Sequence, residues 1–153
     1  MHSSAQDFEA TILQNSPLGS YFSLVFEDRG TLHNALPGQF LNLRISDGTA
    51  PLLRRPFSIA RLLPAPKGRT RVEVVYAVVR GGTRLLSRKK PGETIRVMGP
   101  LGNPFPHLDK KHPAILVGGG VGIPPMIILS EYLKKKGVDQ EVFLGARTKQ
   151  DLV

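Results

Sequence analysis

The chain has 153 residues, 41% hydrophobic and 22% charged, with no cysteine and a formal net charge of +9 at neutral pH. Such numbers fit one globular domain, or one domain and part of a second, and they exclude disulfides, thiolate zinc sites and Cys-ligated iron–sulfur clusters within these residues. No apolar run reaches the ~18 residues of a membrane span, and the N-terminal "MHSSAQDFEA" lacks the basic and apolar regions of a secretory signal, so neither membrane insertion nor export is expected, and the location expected is cytoplasmic.

Residues 8–13 and 20–27 alternate with period two, with Phe22, Leu24 and Phe26 set against Tyr21, Ser23 and Val25. The intervening "NSPLG" at 15–19 reads as their turn. "PGQFLNLRI" at 37–45 is a third strand, ended by Asp47-Gly48; "RPFSIARLL" at 55–63 is a fourth, "RVEVVYAVV" at 71–79 a fifth and "ETIRVMG" at 93–99 a sixth. One short helix is predicted within 82–92. Six short strands with turns between them predict an antiparallel six-stranded Greek-key β-barrel over residues 1–109.

The texture changes after "HLDKKHP" at 107–113. "AILVGGG" at 114–120 is an apolar strand running into glycines, "IPPMIILSEYLKKKG" at 123–137 a helix, and "QEVFLGA" at 140–146 another strand. Pro124 and Pro125 suit a first helical turn, Lys134 to Lys136 suit the negative end, and Gly137 suits the position just beyond. Strand, helix and parallel strand over 110–153 predict the first βαβ unit of a Rossmann-like domain. Two strands cannot bury both faces of a doubly wound sheet, so this unit is expected to be truncated.

Three stretches carry chemistry. In "VGGGVGIPP", Gly118, Gly119, Gly120 and Gly122 precede a helix whose N-terminus suits a pyrophosphate. Ile123 stands where the dinucleotide fingerprint has its third glycine, and no acid ends the second strand, so a tight turn for helix–strand packing is the competing reading. In "RGGTRLLS", Gly82 and Thr83 sit between a strand and a short helix, where they offer amides and a hydroxyl to a phosphate or simply make a turn. In "LLRRPFSIA", two arginines and Ser58 interrupt an apolar strand; they form either a surface ion pair and a satisfied core hydroxyl, or part of a site. The basic residues are dispersed and the aromatics fall at strand-core spacings, which disfavours nucleic acid. The four histidines, His2, His33, His107 and His112, have no metal-ligand spacing, and no metal site is expected.

R-P-F-S on a strand, G-T before a short helix and G-G-G-V-G-I-P-P after the barrel occur in an order that resembles the ferredoxin reductase-like flavoproteins. Together with "PGQFLNLR" and "MGPLGNPF", these segments look most like the electron-transfer subunits of bacterial NAD-dependent dihydroorotate dehydrogenases. The resemblance implies an FAD-binding barrel followed by a nicotinamide domain that takes NAD(H) as substrate. By position, Arg55, Pro56, Phe57 and Ser58 would line the flavin, with Ser58 near the hydride-accepting N5. Val75, Tyr76 and Ala77 would run along the ring system, Gly82 and Thr83 would cap the pyrophosphate, and Gly118 to Pro124, with Gly119, Gly120 and Gly122, would receive the dinucleotide. Ala77 departs from the family, which often has a basic residue there. The resemblance also implies an FMN-containing catalytic subunit as partner in a heterotetramer, and a 2Fe–2S cluster for which this chain has no cysteine ligands. Another NAD(P)H flavoprotein of the superfamily is the alternative, and a basic barrel-fold nucleic-acid-binding module is the reading from outside it.

Overall fold

The computed structural model describes residues 5–46, 48, 52–106 and 110–152; His2, His107 and the Asp47 end of the third predicted strand lie outside them. Seven strands form one antiparallel sheet: β1 (Gln6–Leu18), β2 (Tyr21–Asp28), β3 (Phe40–Arg44), β4 (Arg55–Ser58), β5 (Arg61–Pro64), β6 (Thr70–Tyr76) and β7 (Thr94–Leu101). Their order in space is β4-β3-β7-β1-β2-β6-β5. The core lies inside this curled sheet, where Leu24, Phe26, Leu41, Leu43, Val72, Val74 and Val97 are fully buried. They alternate along their strands with residues on the other face, as a strand's side-chain period requires.

The sequence predicts six strands and the structure has seven, because "RPFSIARLL" divides after Ser58. Ile59 donates its N–H to the Gln39 carbonyl beside β3 (3.5 Å), and Ala60 donates to Glu73 of β6 (2.8 Å). Adjacent amides thus bond opposite edges of the sheet. Two residues span only ~7 Å when extended, so the first and last strands in the order are drawn together and the sheet rolls towards a barrel.

The first turn is also shorter than predicted. Asn15 to Leu18 remain in β1, paired with residues of β2 down to Leu18 opposite Tyr21. Gly19, at φ 57°, makes the reversal with Ser20. Pro17 is tolerated because β7 pairs with β1 only from Gln6 to Thr11, which leaves the far part of β1 as an edge.

Helix α1 (Gly81–Leu86) follows β6. The second, parallel sheet joins β8 (Ala114–Gly119) to β9 (Gln140–Gly145), with α2 (Ile123–Lys136) between them in sequence. The predicted helix is found with both prolines in its first turn, and its capping Gly137 is left-handed at φ 66°. Ala114, Leu116, Leu129, Leu133 and Val138 pack as a second cluster, while Ile128 reaches into the core of the large sheet. Ile115, Val117 and Phe143 are exposed. Among the described residues no helix is long and apolar enough to cross a membrane.

A polar bridge docks α2 on the large sheet. Glu73 of β6, only 9% exposed, accepts from Ser23 Oγ on β2 at 2.6 Å and from Arg61 Nη1 on β5 at 2.8 Å. Arg61 Nε then donates to Glu131 of α2 at 3.0 Å. The Glu73 carboxylate, foremost, holds the Arg61 guanidinium above its usual range. Arg61→Met leaves Glu73 as a largely buried, half-satisfied charge, and is expected to cost about 2–3 kcal/mol. Glu131→Gln removes a well-exposed partner, and about 1 kcal/mol or less is expected. Urea unfolding of both variants checks this; equal losses would place the weight of the bridge on α2 rather than on Glu73.

Candidate functional site

The two arginines of "LLRRPFSIA" separate. Arg54 Nη2 pairs with Asp7 Oδ2 at 2.7 Å, and Arg96 Nε reaches the other oxygen of the same carboxylate at 3.2 Å. Arg54 therefore ties the approach to β4 onto β1. Arg55 has no carboxylate partner among the described residues; Nη1 donates only to the Leu53 carbonyl, at 3.2 Å. It lines a cleft of about 410 Å³ together with Val79, Arg80, Gly81, Gly82, Thr83 and Leu85.

The turn into α1 builds the opposite wall. Thr83 Oγ1 accepts from the Val79 amide at 2.9 Å and donates to the Arg80 carbonyl at 3.1 Å. Its hydroxyl organises the helix start. The first amide to find an intrahelical acceptor is that of Arg84, on Arg80 O, and those of Gly81, Gly82 and Thr83 fall in the first turn, where helical geometry supplies no acceptor. Gly82 is buried against Arg55, and a Cβ there would lie 3.1 Å from Arg55 Nε. Glycine at this position lets the arginine lie across the helix start. The cleft thus combines a fixed cation with amides of a tight turn, the donor set that suits a phosphate.

Val79 also borders a second cleft, of about 270 Å³, lined by Pro56, Phe57, Ser58, Val75, Tyr76, Ala77 and Val121. Every barrel residue singled out in the sequence borders one of these two adjoining clefts. They differ in what they present. Pro56 is exposed and Ser58 half-buried, and the Ser58 hydroxyl makes no hydrogen bond among the described residues. Phe57 and Tyr76 turn inward and meet edge to face at a 5.7 Å centroid distance. The Tyr76 hydroxyl donates to Asn15 Oδ1 at 2.9 Å. Burial raises the phenol's pKa above its ordinary value, and the Asn15 hydrogen bond pulls it partly back. Asn15 Nδ2 in turn donates to the carbonyls of Leu86 and Lys89, at 2.8 and 2.9 Å. A side chain read from sequence as a turn residue therefore fixes the end of α1 to the barrel wall.

The glycine turn arrives from the other sheet through Val121, a residue the sequence reading passed over. Its only signal was its place between Gly120 and Gly122, since the partner strands β4 and β6 are remote in sequence. The glycines have separate reasons. A Cβ on Gly118 would meet Met126 Cγ at 2.9 Å and Gly122 O at 3.2 Å, so β8 and α2 pack closely there. Gly120 is left-handed at φ 54°. A Cβ on Gly119 would approach Gly145 O at 3.3 Å, whereas one on Gly122 meets nothing within 4 Å. Pro124 is buried. Packing accounts for Gly118 and backbone conformation for Gly120; Gly122 has open space in front of it.

No family model matches the chain. A curated relative from Bacillus velezensis, the electron transfer subunit of dihydroorotate dehydrogenase B (NAD(+)), is 43% identical over 145 residues, covering 93% of this chain and 56% of the relative. Subunits of the same name from Geobacillus and Fusobacterium nucleatum are 38% and 40% identical over 93% and 76% of this chain, covering 55% and 44% of their own lengths. By sequence, the chain belongs with these electron-transfer subunits. It spans about half the length of the relatives it matches. Among solved structures, the NADH-dependent reduced ferredoxin-NADP oxidoreductase, described for flavin-based electron bifurcation, superposes with a TM-score of 0.80 at 33% identity, over 94% of this chain and 50% of that one. Phthalate dioxygenase reductase shares the fold at a TM-score of 0.72 and 21% identity, over 95% and 45% of the two chains.

The two demands on the glycine turn make a test. Gly120→Ala forces a Cβ into the left-handed region and should cost about 1 kcal/mol, whereas Gly122→Ala should stay within about 0.5 kcal/mol of the parent. Thermal or urea unfolding separates them, and equal losses would mean that the turn needs glycine at both positions.

Proposed function

We propose that the chain is the FAD-binding part of an electron-transfer subunit that passes electrons from a dihydroorotate dehydrogenase catalytic subunit to NAD. The observation that carries this is Arg55, a half-buried cation without a carboxylate partner, beside the amides of the Gly81–Thr83 turn in a cleft that adjoins the β4–β6 cleft.

These residues fit a flavin dinucleotide. Arg55 and the first-turn amides would hold the pyrophosphate, with Arg80 at the same cleft supplying the positive charge that Ala77 does not. Pro56, Ser58, Val75, Ala77 and Val79 would border the ring system, and the unpartnered Ser58 hydroxyl is free to donate to a ring nitrogen. Phe57 and Tyr76 would support that wall from within the core. Bound FAD supplies hydride acceptance on one side of the exchange and single-electron release on the other. Gly118 to Pro124 would receive NAD(H), with Gly122 open to close backbone approach and Val121 already at the flavin cleft. The partner we infer is the FMN-containing catalytic subunit, in a heterotetramer. No cysteine in this sequence can ligate a 2Fe–2S cluster, so a cluster on the electron path would be held by other residues or another chain. The likeness to a ferredoxin-NADP oxidoreductase structure favours a second reading, a ferredoxin-linked reductase. Dihydroorotate-dependent reduction of NAD on adding the catalytic subunit would decide for the first.

The visible spectrum of the purified chain with added FAD tests the site. A flavin spectrum that survives gel filtration is expected, and complete loss of flavin would remove the proposal. Arg55→Ala should weaken FAD binding by about 1.5–3 kcal/mol, the worth of a charge-assisted hydrogen bond. An unchanged dissociation constant by fluorescence titration would take Arg55 out of the site.

A further inference from the structure

Helix α1 carries more positive charge than its own stability asks for. Arg80, Arg84 and Arg88 recur at every fourth position, are exposed, and form no ion pair with the described residues. Like charges four apart on a helical face repel, and Arg80 stands at the helix N-terminus, where the dipole disfavours a cation. The nearest acid along the chain, Glu93, accepts from the Lys90 amide, and so it caps a turn rather than neutralising the row. The row is bordered by exposed apolar side chains: Val79 (68% exposed), Leu85 (40%) and Leu53 (70%), whose carbonyl accepts from Arg55. Arginine set among exposed aliphatic groups is the composition of a protein-docking surface. A site for a free polyanion has no use for the apolar border.

We propose that this face of α1 is where an acidic protein docks to exchange electrons with the flavin. The inference rests on the flavin reading above, since Val79 and Leu85 line the cleft assigned there to the cofactor. Charge complementarity with a +9 chain sets the sign of the partner. The reduced flavin gives up two electrons and a proton, returning to FAD, and two one-electron acceptors take one electron each.

The test uses the FAD-loaded chain, reduced anaerobically with dithionite and mixed in stopped flow with acidic cytochrome b5 or, separately, basic cytochrome c. Cytochrome b5 reduction should slow as salt rises, and should slow roughly tenfold in the Arg84→Glu/Arg88→Glu variant, with flavin content unchanged. Arg84→Lys/Arg88→Lys should retain the parent rate, and cytochrome c should react faster with the charge-reversed variant. A cytochrome b5 rate indifferent to both salt and charge reversal would overturn the proposal. So would an unmoved rate accompanied by loss of binding to a labelled DNA duplex, which would assign the row to nucleic acid. Failure of the parent chain to retain FAD shows in the absorption spectrum before any acceptor is added; it removes the flavin reading, and this inference with it.

Discussion

Two residues hold the architecture together. Ile59 and Ala60 carry the chain from β4 to β5, which stand at opposite ends of the strand order, and each donates its amide to a different edge of the sheet. A flat seven-stranded sheet would be far too wide for that step, strands being spaced by ~4.8 Å. Curvature is therefore a covalent consequence of the short link, and both residues are completely buried beneath it. The link brings the Arg55–Ser58 strand to the same opening as the end of β6. A cleft forms there between segments that share no hydrogen-bonded ladder.

The walls of the cleft are held by polar contacts reaching in from behind. Asn15 joins the Tyr76 hydroxyl to two carbonyls at the end of α1, so the barrel wall and the helix are positioned by one side chain. On the outer surface, Ser23, Glu73, Arg61 and Glu131 form a chain of hydrogen bonds across two neighbouring strand pairs and onto α2. Pairs of this kind contribute modestly to net stability, because desolvation offsets much of the Coulomb attraction. Their stronger effect is on geometry. With Glu73 largely buried, α2 has one favourable seat, and the glycine turn at its N-terminus, Val121 included, is delivered to the flavin-side cleft.

Charge on this protein is sorted by role. Arg54, Arg61, Arg69 and Arg96 are matched with carboxylates and serve the fold. Arg55 is held in a cleft without such a match, and the row on α1 is left to solvent. Two arginines adjacent in sequence thus belong to different categories, one closing a seam with Asp7 and the other facing a cavity. The same sorting applies to glycine: Gly118 answers to packing and Gly120 to conformation, while Gly122 has no structural constraint on the described surface.

Much of this was legible in the residues. The alternation of Leu24 and Phe26, the capped helix from Ile123 to Gly137 and the glycine-rich strand end are local patterns, set by the side-chain periods of strand and helix and by where helices admit proline and glycine. The identities around Arg55, Gly82 and Gly118 were likewise visible as motifs. What the sequence could not determine is non-local. Strand count depended on Ile59 and Ala60 changing partners, which no periodicity shows. The fates of Arg54 and Arg55 depended on Asp7 being across a seam, 47 residues away. Asn15 read as a turn residue until Tyr76 and α1 were placed around it. Val121 joined the site only when α2 was docked by Glu73 and Arg61. Local patterning settles which elements form; hydrogen bonds between residues distant in the chain decide which of their side chains meet.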